Sequence, residues 1–92
     1  MTSRENLTFK VRLSRRAEGY LRRTDRNTQK RIAAAIENIR QNPIRGLHIR
    51  PLEGRESEYR YYLGNLRIVY TVHPEERLID ITSIGPRGDI YK

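Results

Sequence analysis

The chain has 92 residues, of which 36% are hydrophobic and 33% are charged, so it fits one domain with a thin core and has no room for a second. It contains no cysteine, which excludes a disulfide framework and a thiolate metal site. Its two histidines lack the spacing of metal ligands, so we expect no metal and no other cofactor. The net charge of +8 indicates a polyanionic partner, either nucleic acid or an acidic protein.

Arginine dominates the basic residues, because only three of the 19 are lysine. A planar guanidinium binds phosphate through two parallel hydrogen bonds, which favours nucleic acid over a merely solvated surface. No apolar run approaches the roughly 20 residues that a membrane helix needs. The first nine residues lack the apolar core of a signal peptide. We therefore expect a cytoplasmic protein with no membrane partner.

The first predicted elements are a strand and a helix. Residues 7–13 alternate between apolar and polar side chains, which is typical of a half-buried strand. Ser14 is placed to cap a helix that follows at once, since its hydroxyl accepts a hydrogen bond from a free backbone N–H. In that helix Ala17, Tyr20 and Leu21 fall on one face at the 3.6-residue period.

A second helix is predicted from its own amphipathic pattern, and Asp25 or Asn27 is placed to start it. Four apolar residues give the i, i+3, i+4, i+7 stripe of a buried helix face: Ile32, Ala35, Ile36 and Ile39. The pair Asn42-Pro43 ends the helix, because the residue before proline is driven out of the α region. The short connection between the two helices predicts an antiparallel helical hairpin.

Residues 43–57 form the next predicted unit, a loop interrupted by two prolines and two glycines. A short strand is expected near residues 47–50. His48 is interpreted as a solvated loop histidine and not as a catalyst. Three arginines of this loop extend the basic surface: Arg45, Arg50 and Arg55.

The clearest predicted element is a β-hairpin over residues 58–71. Gly64 and Asn65 lie between two alternating runs and indicate a two-residue turn, because such turns need positive φ. That turn fixes the register of the two strands. The predicted pairs are Leu63 with Leu66, Tyr62 with Arg67, Tyr61 with Ile68 and Arg60 with Val69. One face then carries residues that suit a core: Tyr59, Tyr61, Leu63, Leu66, Ile68 and Tyr70. The other face carries Arg60, Tyr62, Arg67 and Thr71.

The last predicted element is a strand over residues 78–84, which follows a polar turn at residues 73–76 and is broken by Gly85 and Pro86. The complete order predicts an α+β fold. It has an N-terminal strand, the helical hairpin and a three-stranded antiparallel meander (β-α-α-β-β-β), with the helices on one sheet face. We expect the other sheet face to stay open and to carry the polar side of the hairpin.

Several motifs of the second half follow one another in a fixed order: Tyr59-Arg60, Gly64, Arg67-Ile68-Val69-Tyr70, Ile84-Gly85-Pro86-Arg87 and Tyr91. In this order and spacing they resemble the RelE/ParE superfamily of bacterial and archaeal toxins. The two-helix N-terminal half, which closes on asparagine-proline, fits as well. The resemblance covers nearly the whole chain and implies a single RelE-like toxin domain at 1–92.

The resemblance implies a toxin of a toxin–antitoxin system. RelE-type members cleave messenger RNA in the ribosomal A site, with the substrate 2′-hydroxyl as the nucleophile, and leave a cyclic phosphate. The implied partners are a cognate antitoxin whose acidic segment wraps the toxin, mRNA on the ribosome, and operator DNA bound indirectly through the antitoxin. ParE-type members share the fold but poison DNA gyrase, so a gyrase inhibitor is the alternative. A basic binding module with weak or lost catalysis is a third reading.

The resemblance also implies the site residues: Arg60, Tyr62, Arg67, Arg87 and Tyr91. Arg67 and Arg87 match the two arginines of the family, and Tyr91 matches its C-terminal tyrosine. Arg60 and Tyr62 stand where RelE-type enzymes often keep lysines. The chain therefore departs from the best-known pattern, because it has no lysine on this face and no histidine beside the C-terminal tyrosine.

Cleavage through a 2′-hydroxyl needs a base, a group that stabilises charge on the phosphate, and an acid for the leaving 5′-oxygen. Arginine suits the second task, with Arg87 a candidate proton donor, but it is a poor base because its pKa lies above about 12. The base stays open between Tyr62, Tyr91, Glu53 and Glu58. A phenol serves only where nearby guanidiniums lower its pKa from about 10.

Other readings stand beside these roles. Arg60 and Arg67 would also be explained by ion pairs with carboxylates such as Glu58, although a surface pair contributes only about 0–1 kcal/mol. Tyr62 or Tyr91 would also serve to stack on a base of the substrate, which is a common role of aromatic residues in single-strand RNA recognition.

Overall fold

The computed structural model describes residues 9–52, 54 and 57–86, which fold as an α+β protein. Within these residues lie two α-helices, α1 (Arg15–Arg23) and α2 (Arg26–Gln41). The strands are β1 (Lys10–Leu13), β2 (Ile49–Pro51), β3 (Glu58–Leu63), β4 (Leu66–His73) and β5 (Leu78–Pro86). A 3-10 turn at Pro74–Glu76 joins β4 to β5.

The five strands form one mixed sheet in the order β1-β5-β4-β3-β2. β2 to β5 follow one another as an antiparallel meander, whereas β1 runs parallel to β5 at the opposite edge. The predicted α+β class is confirmed. The predicted strand order is corrected, because β2 pairs with β3 and makes the meander four-stranded. Pro51 is compatible with this position, since proline is tolerated in edge strands.

The first strand is shorter than predicted. β1 begins at Lys10, whereas residues 7 and 8 lie outside the described residues. Phe9 precedes the strand and packs, partly buried, against the hydrophobic core. Its backbone N–H donates to the carbonyl of Arg40 at 3.2 Å, which holds the start of β1 near the end of α2.

The start of α1 is fixed by Ser14, as predicted. Its hydroxyl oxygen accepts a hydrogen bond from the backbone N–H of Ala17 at 3.0 Å. The same hydroxyl donates to the carbonyl of Thr82 at 2.8 Å. An N-cap of this kind stabilises a helix by about 1 kcal/mol, and here it also ties the helix to β5.

The second helix has the predicted bounds. Asp25 is its N-cap residue, and the helix ends at Gln41, directly before Asn42-Pro43. The predicted stripe faces inward, because Ile32 and Ile39 are fully buried. Among the described residues, neither helix is long and apolar enough to cross a membrane.

The core lies between the helices and one face of the sheet. Its buried residues are Ala17, Ile32, Ala35, Ile39, Ile49, Tyr61, Leu66, Ile68, Tyr70, Val72, Ile79, Ile81 and Ile84. A fully buried isoleucine contributes about 1.5–3 kcal/mol relative to an exposed one. The hydroxyl of Tyr70 donates to the carbonyl of Pro43 at 2.6 Å, and burial raises the pKa of Tyr70. The end of α2 is thereby fixed against the sheet.

The expected break at Gly85 and Pro86 is wrong, because β5 continues to Pro86, which lies opposite Leu66 in β4. β1 pairs only with the first part of β5, as far as Ile81. The second part of β5 therefore has β4 as its neighbour on one side only. A proline, which lacks an N–H, is tolerated at such an edge.

A β-bulge in β5 explains how the strand fills the core. Val69 pairs with Ser83 and Tyr70 pairs with Ile81, which leaves Thr82 as the additional residue. The additional residue shifts the alternation of side chains, so both Ile81 and Ile84 face the core and are buried.

Candidate functional site

The β3–β4 hairpin has the predicted register. Leu63 pairs with Leu66 across the turn, and Tyr62 pairs with Arg67. Of the two turn residues, Gly64 has the positive φ, at +59°, which favours glycine. Strand side chains alternate between the two sheet faces, so the turn decides which residues join the core and which point away from the helices.

The two faces of the hairpin differ as expected. Tyr61 and Tyr70 are buried on the helix side, where Asn38 of α2 donates to the Tyr61 hydroxyl at 3.2 Å. Tyr59 is half-buried and its ring stacks on Tyr70 with the centres 5.8 Å apart. The opposite face carries the Arg60–Tyr62–Arg67 cluster. No described helix covers this face, which is called the open face below.

Arg67 is more deeply placed than the sequence suggested. It is only 8% exposed, although it lies on the open face. Its Nη1 donates to the carbonyls of Gly64 and Leu66, both at 2.9 Å. Its guanidinium carbon lies 4.1 Å from the centre of the Tyr62 ring, within cation–π distance. Arg67 therefore holds the turn and the Tyr62 ring in one orientation, in addition to supplying charge.

Arg60 approaches the same ring from the neighbouring position along β3. Its Nη1 donates to the Tyr62 hydroxyl at 3.1 Å, and its guanidinium carbon lies 5.8 Å from the ring centre. Tyr62 thus contacts both guanidiniums, one at its hydroxyl and one over its ring. Glu58, a candidate base, is half-buried at the start of β3, and its partner in the register is Thr71.

The remaining predicted site residues, Arg87 and Tyr91, lie outside the described residues, as do Glu53 and Arg55. The cluster that the structure brings together is therefore Arg60, Tyr62 and Arg67. Its arrangement suits an anionic substrate that carries a nucleobase. Guanidiniums bind phosphate, and a tyrosine ring stacks on a nucleobase.

A second cluster on the open face was not predicted from the sequence. Arg12 of β1 donates to Asp80 of β5 through Nε at 2.7 Å and through Nη2 at 3.1 Å. The Nε2 atom of His73 lies 3.1 Å from the same carboxylate. The hydrogen bond from Arg12 lowers the pKa of Asp80. The signal in the sequence, opposite charges at paired positions, becomes visible only once β1 is known to run parallel to β5.

The loop between α2 and β2 is exposed. His48 is exposed, as expected, and its ring centre lies 5.5 Å from that of Tyr61. Arg50 is exposed and donates to the carbonyl of Ile49 at 3.0 Å. Leu47 is 86% exposed, which is unusual for a large apolar side chain. Among the described residues, no group of three or more histidine, aspartate or glutamate side chains is placed to hold a metal ion.

Solved structures with this fold include chains of toxin–antitoxin complexes. A chain of the archaeal RelE-RelB complex from Pyrococcus horikoshii OT3 superimposes with a TM-score of 0.77 at 23% identity, over 89% of this chain and 98% of that one. A chain of the RelB-RelE antitoxin-toxin complex from Methanococcus jannaschii gives a TM-score of 0.66 at 26% identity, over 86% and 93%. The architecture is therefore that of the RelE-like toxins.

The sequence comparisons define the family. Residues 11–91 match the family described as the ParE toxin of the type II toxin-antitoxin system, parDE. The chain is also 30% identical over 88 residues to a protein named "Putative toxin RelE1" from Methanocaldococcus jannaschii, covering 94% of this chain and 98% of that protein. The chain belongs to this ParE toxin family, within the RelE/ParE superfamily, and is the toxin of a toxin–antitoxin system.

Proposed function

We propose that this toxin is a ribosome-dependent mRNA endoribonuclease that stops translation in the cytoplasm. The observation that carries the proposal is the Arg60–Tyr62–Arg67 cluster on the open face. Guanidiniums stabilise charge on a phosphate, and an aromatic ring stacks on an unpaired base. The RelE name of the archaeal relative supports the RelE branch, to which this activity belongs by resemblance.

In the proposed reaction the 2′-oxygen of the substrate attacks the adjacent phosphorus. The bond from phosphorus to the 5′-oxygen of the next nucleotide breaks. The products are a 2′,3′-cyclic phosphate and a free 5′-hydroxyl. A base removes the proton of the 2′-hydroxyl, and an acid gives a proton to the leaving 5′-oxygen.

The proposed roles follow from the geometry of the cluster. Arg60 lies on the open face, where its guanidinium donates to the Tyr62 hydroxyl. We assign it to stabilise the additional negative charge on the phosphate, because a guanidinium is a fixed cation there. Arg67 supplies charge from over the Tyr62 ring and fixes the orientation of that ring. By the resemblance alone, since both residues lie outside the described part of the chain, we assign Arg87 as proton donor and phosphate ligand, and Tyr91 as base or stacking residue.

The proposed regulator is a cognate antitoxin. Similar solved structures include complexes of RelE with RelB, which supports a RelB-like partner for this chain. A net charge of +8 favours an antitoxin segment rich in carboxylates. Operator DNA would then be bound through the antitoxin and not by the toxin directly.

The test is to induce the toxin without its antitoxin and to map the new 5′ ends of cellular mRNA. Cuts within codons of translated mRNA are expected, together with 5′-hydroxyl ends. Purified toxin should cut mRNA on ribosomes and leave the same RNA intact without them. Arg60→Ala should reduce the cutting at least about tenfold, whereas Lys10→Ala, which removes one exposed charge from β1, should not.

The second candidate is a non-nuclease inhibitor of DNA gyrase. It is favoured by the family description, which names ParE. A supercoiling assay with purified gyrase separates the two. Inhibition of supercoiling by a toxin that leaves ribosome-bound mRNA uncut would overturn the nuclease proposal and establish the ParE activity.

A further inference from the structure

Arg50, on the edge strand β2, lies directly opposite Arg60 in the β2–β3 ladder. The neighbouring Ile49 is buried and pairs with Tyr61, whereas Arg50 is exposed. Side chains alternate along a strand, and directly opposite residues of an antiparallel pair point to the same face, with their Cβ atoms about 4.5–5.5 Å apart. Arg50 therefore extends the open face by one strand beyond Arg60.

The guanidinium of Arg50 is held by neutral groups. Its Nη1 donates to the carbonyl of Ile49 at 3.0 Å and to that of Leu47 at 3.4 Å. Among the described residues no carboxylate forms an ion pair with Arg50, and its Nε and Nη2 have no hydrogen-bond partner. These two atoms form one edge of the planar guanidinium, and such an edge binds two oxygens of a phosphate through parallel hydrogen bonds. Arg50 thus presents a charged hydrogen-bonding edge to solvent.

The carbonyl partners place the guanidinium of Arg50 at the Tyr62 end of the sheet edge. His48 directly precedes Ile49, and its carbonyl accepts from the backbone N–H of Tyr62 at 2.8 Å. Arg67, which lies over the Tyr62 ring, belongs to β4, and two strand spacings of about 10 Å in total separate it from Arg50. The Tyr62 site therefore has a cation on each neighbouring strand, with Arg67 inside the sheet and Arg50 at its edge.

We propose that Arg50 forms a second phosphate subsite, which binds the backbone phosphate next to the one that is cut. The inference rests on the proposed function, since it takes mRNA as the substrate. A strand that stacks on Tyr62 and places its reacting phosphate at Arg60 continues across β2, where Arg50 binds the adjacent phosphate. A contact with a phosphate that does not react improves binding of the substrate and leaves the rate of the chemical step unchanged.

The chemistry of the neighbouring groups favours RNA over the carboxylates of a protein partner. Arg50 is continuous with Arg60 and Tyr62 through one strand ladder. Guanidiniums that follow a backbone beside an aromatic ring are typical of sites for single-stranded nucleic acid, where the ring stacks on a nucleobase. A carboxylate-rich segment has no nucleobase for such a ring.

The experiment measures single-turnover cleavage of a synthetic mRNA on purified ribosomes over a range of toxin concentrations. It separates the half-saturating toxin concentration from the rate at saturation. Arg50→Gln should raise the half-saturating concentration about tenfold and keep the saturating rate within about twofold of wild type. It should also reduce the salt slope by about 0.7, the value for one phosphate contact to a single strand. Arg50→Lys keeps the charge and should keep the wild-type salt slope.

The matched control is Arg12→Gln, which removes a guanidinium from β1, the other edge strand of the same sheet. The guanidinium of Arg12 is already paired with Asp80, so both kinetic quantities should stay within about twofold of wild type. Circular dichroism of each variant checks that the fold is kept.

Two modified substrates identify the bound phosphate. Each carries one uncharged methylphosphonate in place of a backbone phosphate, either on the 5′ side or on the 3′ side of the cut. For the wild type, one of the two should raise the half-saturating concentration about tenfold. For Arg50→Gln that same substrate should cause no further change, because the contact has already been lost.

Independent losses from the variant and from both modified substrates would overturn the inference, since another group would then bind these phosphates. So would a lower saturating rate with an unchanged half-saturating concentration, which would place Arg50 at the reacting phosphate. An Arg50→Gln variant that cuts like wild type but escapes neutralisation by the antitoxin would assign Arg50 to the protein partner instead.

The same assay distinguishes the subsite from the proposed function. If wild-type toxin leaves ribosome-bound mRNA uncut, the proposed nuclease function is overturned and the subsite with it. If wild type cuts the mRNA and Arg50→Gln behaves like Arg12→Gln, the subsite alone is overturned.

Discussion

Two arginines at opposite ends of the open face show how differently one residue type is used. Arg12 is exposed, and both of its hydrogen bonds go to the carboxylate of Asp80. Arg67 is buried, and its hydrogen bonds go to two backbone carbonyls while its guanidinium lies over Tyr62. Carbonyls and an aromatic ring are neutral partners, so they hold the guanidinium without cancelling its charge.

The difference indicates which end of the open face receives a polyanion. At the Arg12 end a carboxylate cancels the positive charge, and the pair ties the edge strand β1 to β5. At the Arg67 end the partners of the guanidinium are two carbonyls and an aromatic ring, so the positive charge of Arg67 is preserved. A fixed cation that needs no reorganisation is the more effective stabiliser of developing negative charge. We therefore interpret the Arg12 cluster as structural and the Arg67 cluster as functional.

The largest effect is expected from Arg67→Ala. The variant removes two hydrogen bonds and the contact with Tyr62, and should lose about 2 kcal/mol in the free energy of unfolding. Cleavage of ribosome-bound mRNA should fall at least about 100-fold. Urea unfolding and single-turnover cleavage measure the two losses. Arg12→Ala is the matched control, and a similar loss of cleavage in that variant would refute the comparison.

The next effect is expected from Gly64→Ala. Positive φ in a residue with a Cβ costs about 1–2 kcal/mol, and the added methyl also meets Arg31. Gly54 has a φ of +78° but no heavy atom within 4 Å of an added Cβ, so Gly54→Ala measures the backbone cost alone. Thermal unfolding should rank Gly64→Ala below Gly54→Ala. The double variant Gly64→Ala/Arg31→Ala should recover the difference, and a failure to recover it would contradict the contact.

A smaller effect is expected from Tyr62→Phe. The ring stays over Arg67, but the hydrogen bond from Arg60 is lost, so stability should fall by no more than about 1 kcal/mol. The cleavage rate should fall about tenfold if the hydroxyl helps to hold Arg60 against the phosphate. Tyr59→Phe, on the core side of the same strand, serves as the control. Equal cleavage rates for wild type and Tyr62→Phe would leave the hydroxyl without a role.

The smallest effect is expected at the Arg12 end. The pKa of Asp80 is lower in the folded state than in the unfolded state, so the unfolded chain binds the proton more tightly. Stability therefore rises with pH between the folded-state and the unfolded-state pKa of Asp80. The contribution is complete above the unfolded pKa of about 4 and is lost as pH falls through the lower folded value. Asp80→Asn should flatten this part of the stability profile, with a loss of at most about 1 kcal/mol at pH 7. An unchanged profile would mean that the ion pair contributes nothing.

Local rules predicted the hairpin and the helices from the sequence. The register from Leu63 to Arg67 follows from a two-residue turn, and the cap at Ser14 follows from one side chain and one N–H. Both depend on residues close together in the chain. The same is true of the helix end at Asn42-Pro43.

The pairing of strands that are far apart in the chain could not be predicted from the sequence. β1 and β5 are more than 60 residues apart, so the partnership of Arg12 with Asp80 has no local signature. The burial of Arg67 was missed because alternation assigns a face but not a depth. The extension of β5 through Pro86 depends on β1 being short, which only the assembled sheet reveals.

The measurement that tests the central claim most directly is the single-turnover cleavage rate of mRNA on purified ribosomes for Arg60→Gln and Arg12→Gln, side by side. Each variant removes one guanidinium from the open face, at opposite ends. We predict a rate at least about tenfold lower for Arg60→Gln with the cleavage positions unchanged, and a rate within about twofold of wild type for Arg12→Gln. Equal rates in the two variants would contradict it, because charge at the Tyr62 end would then have no special role.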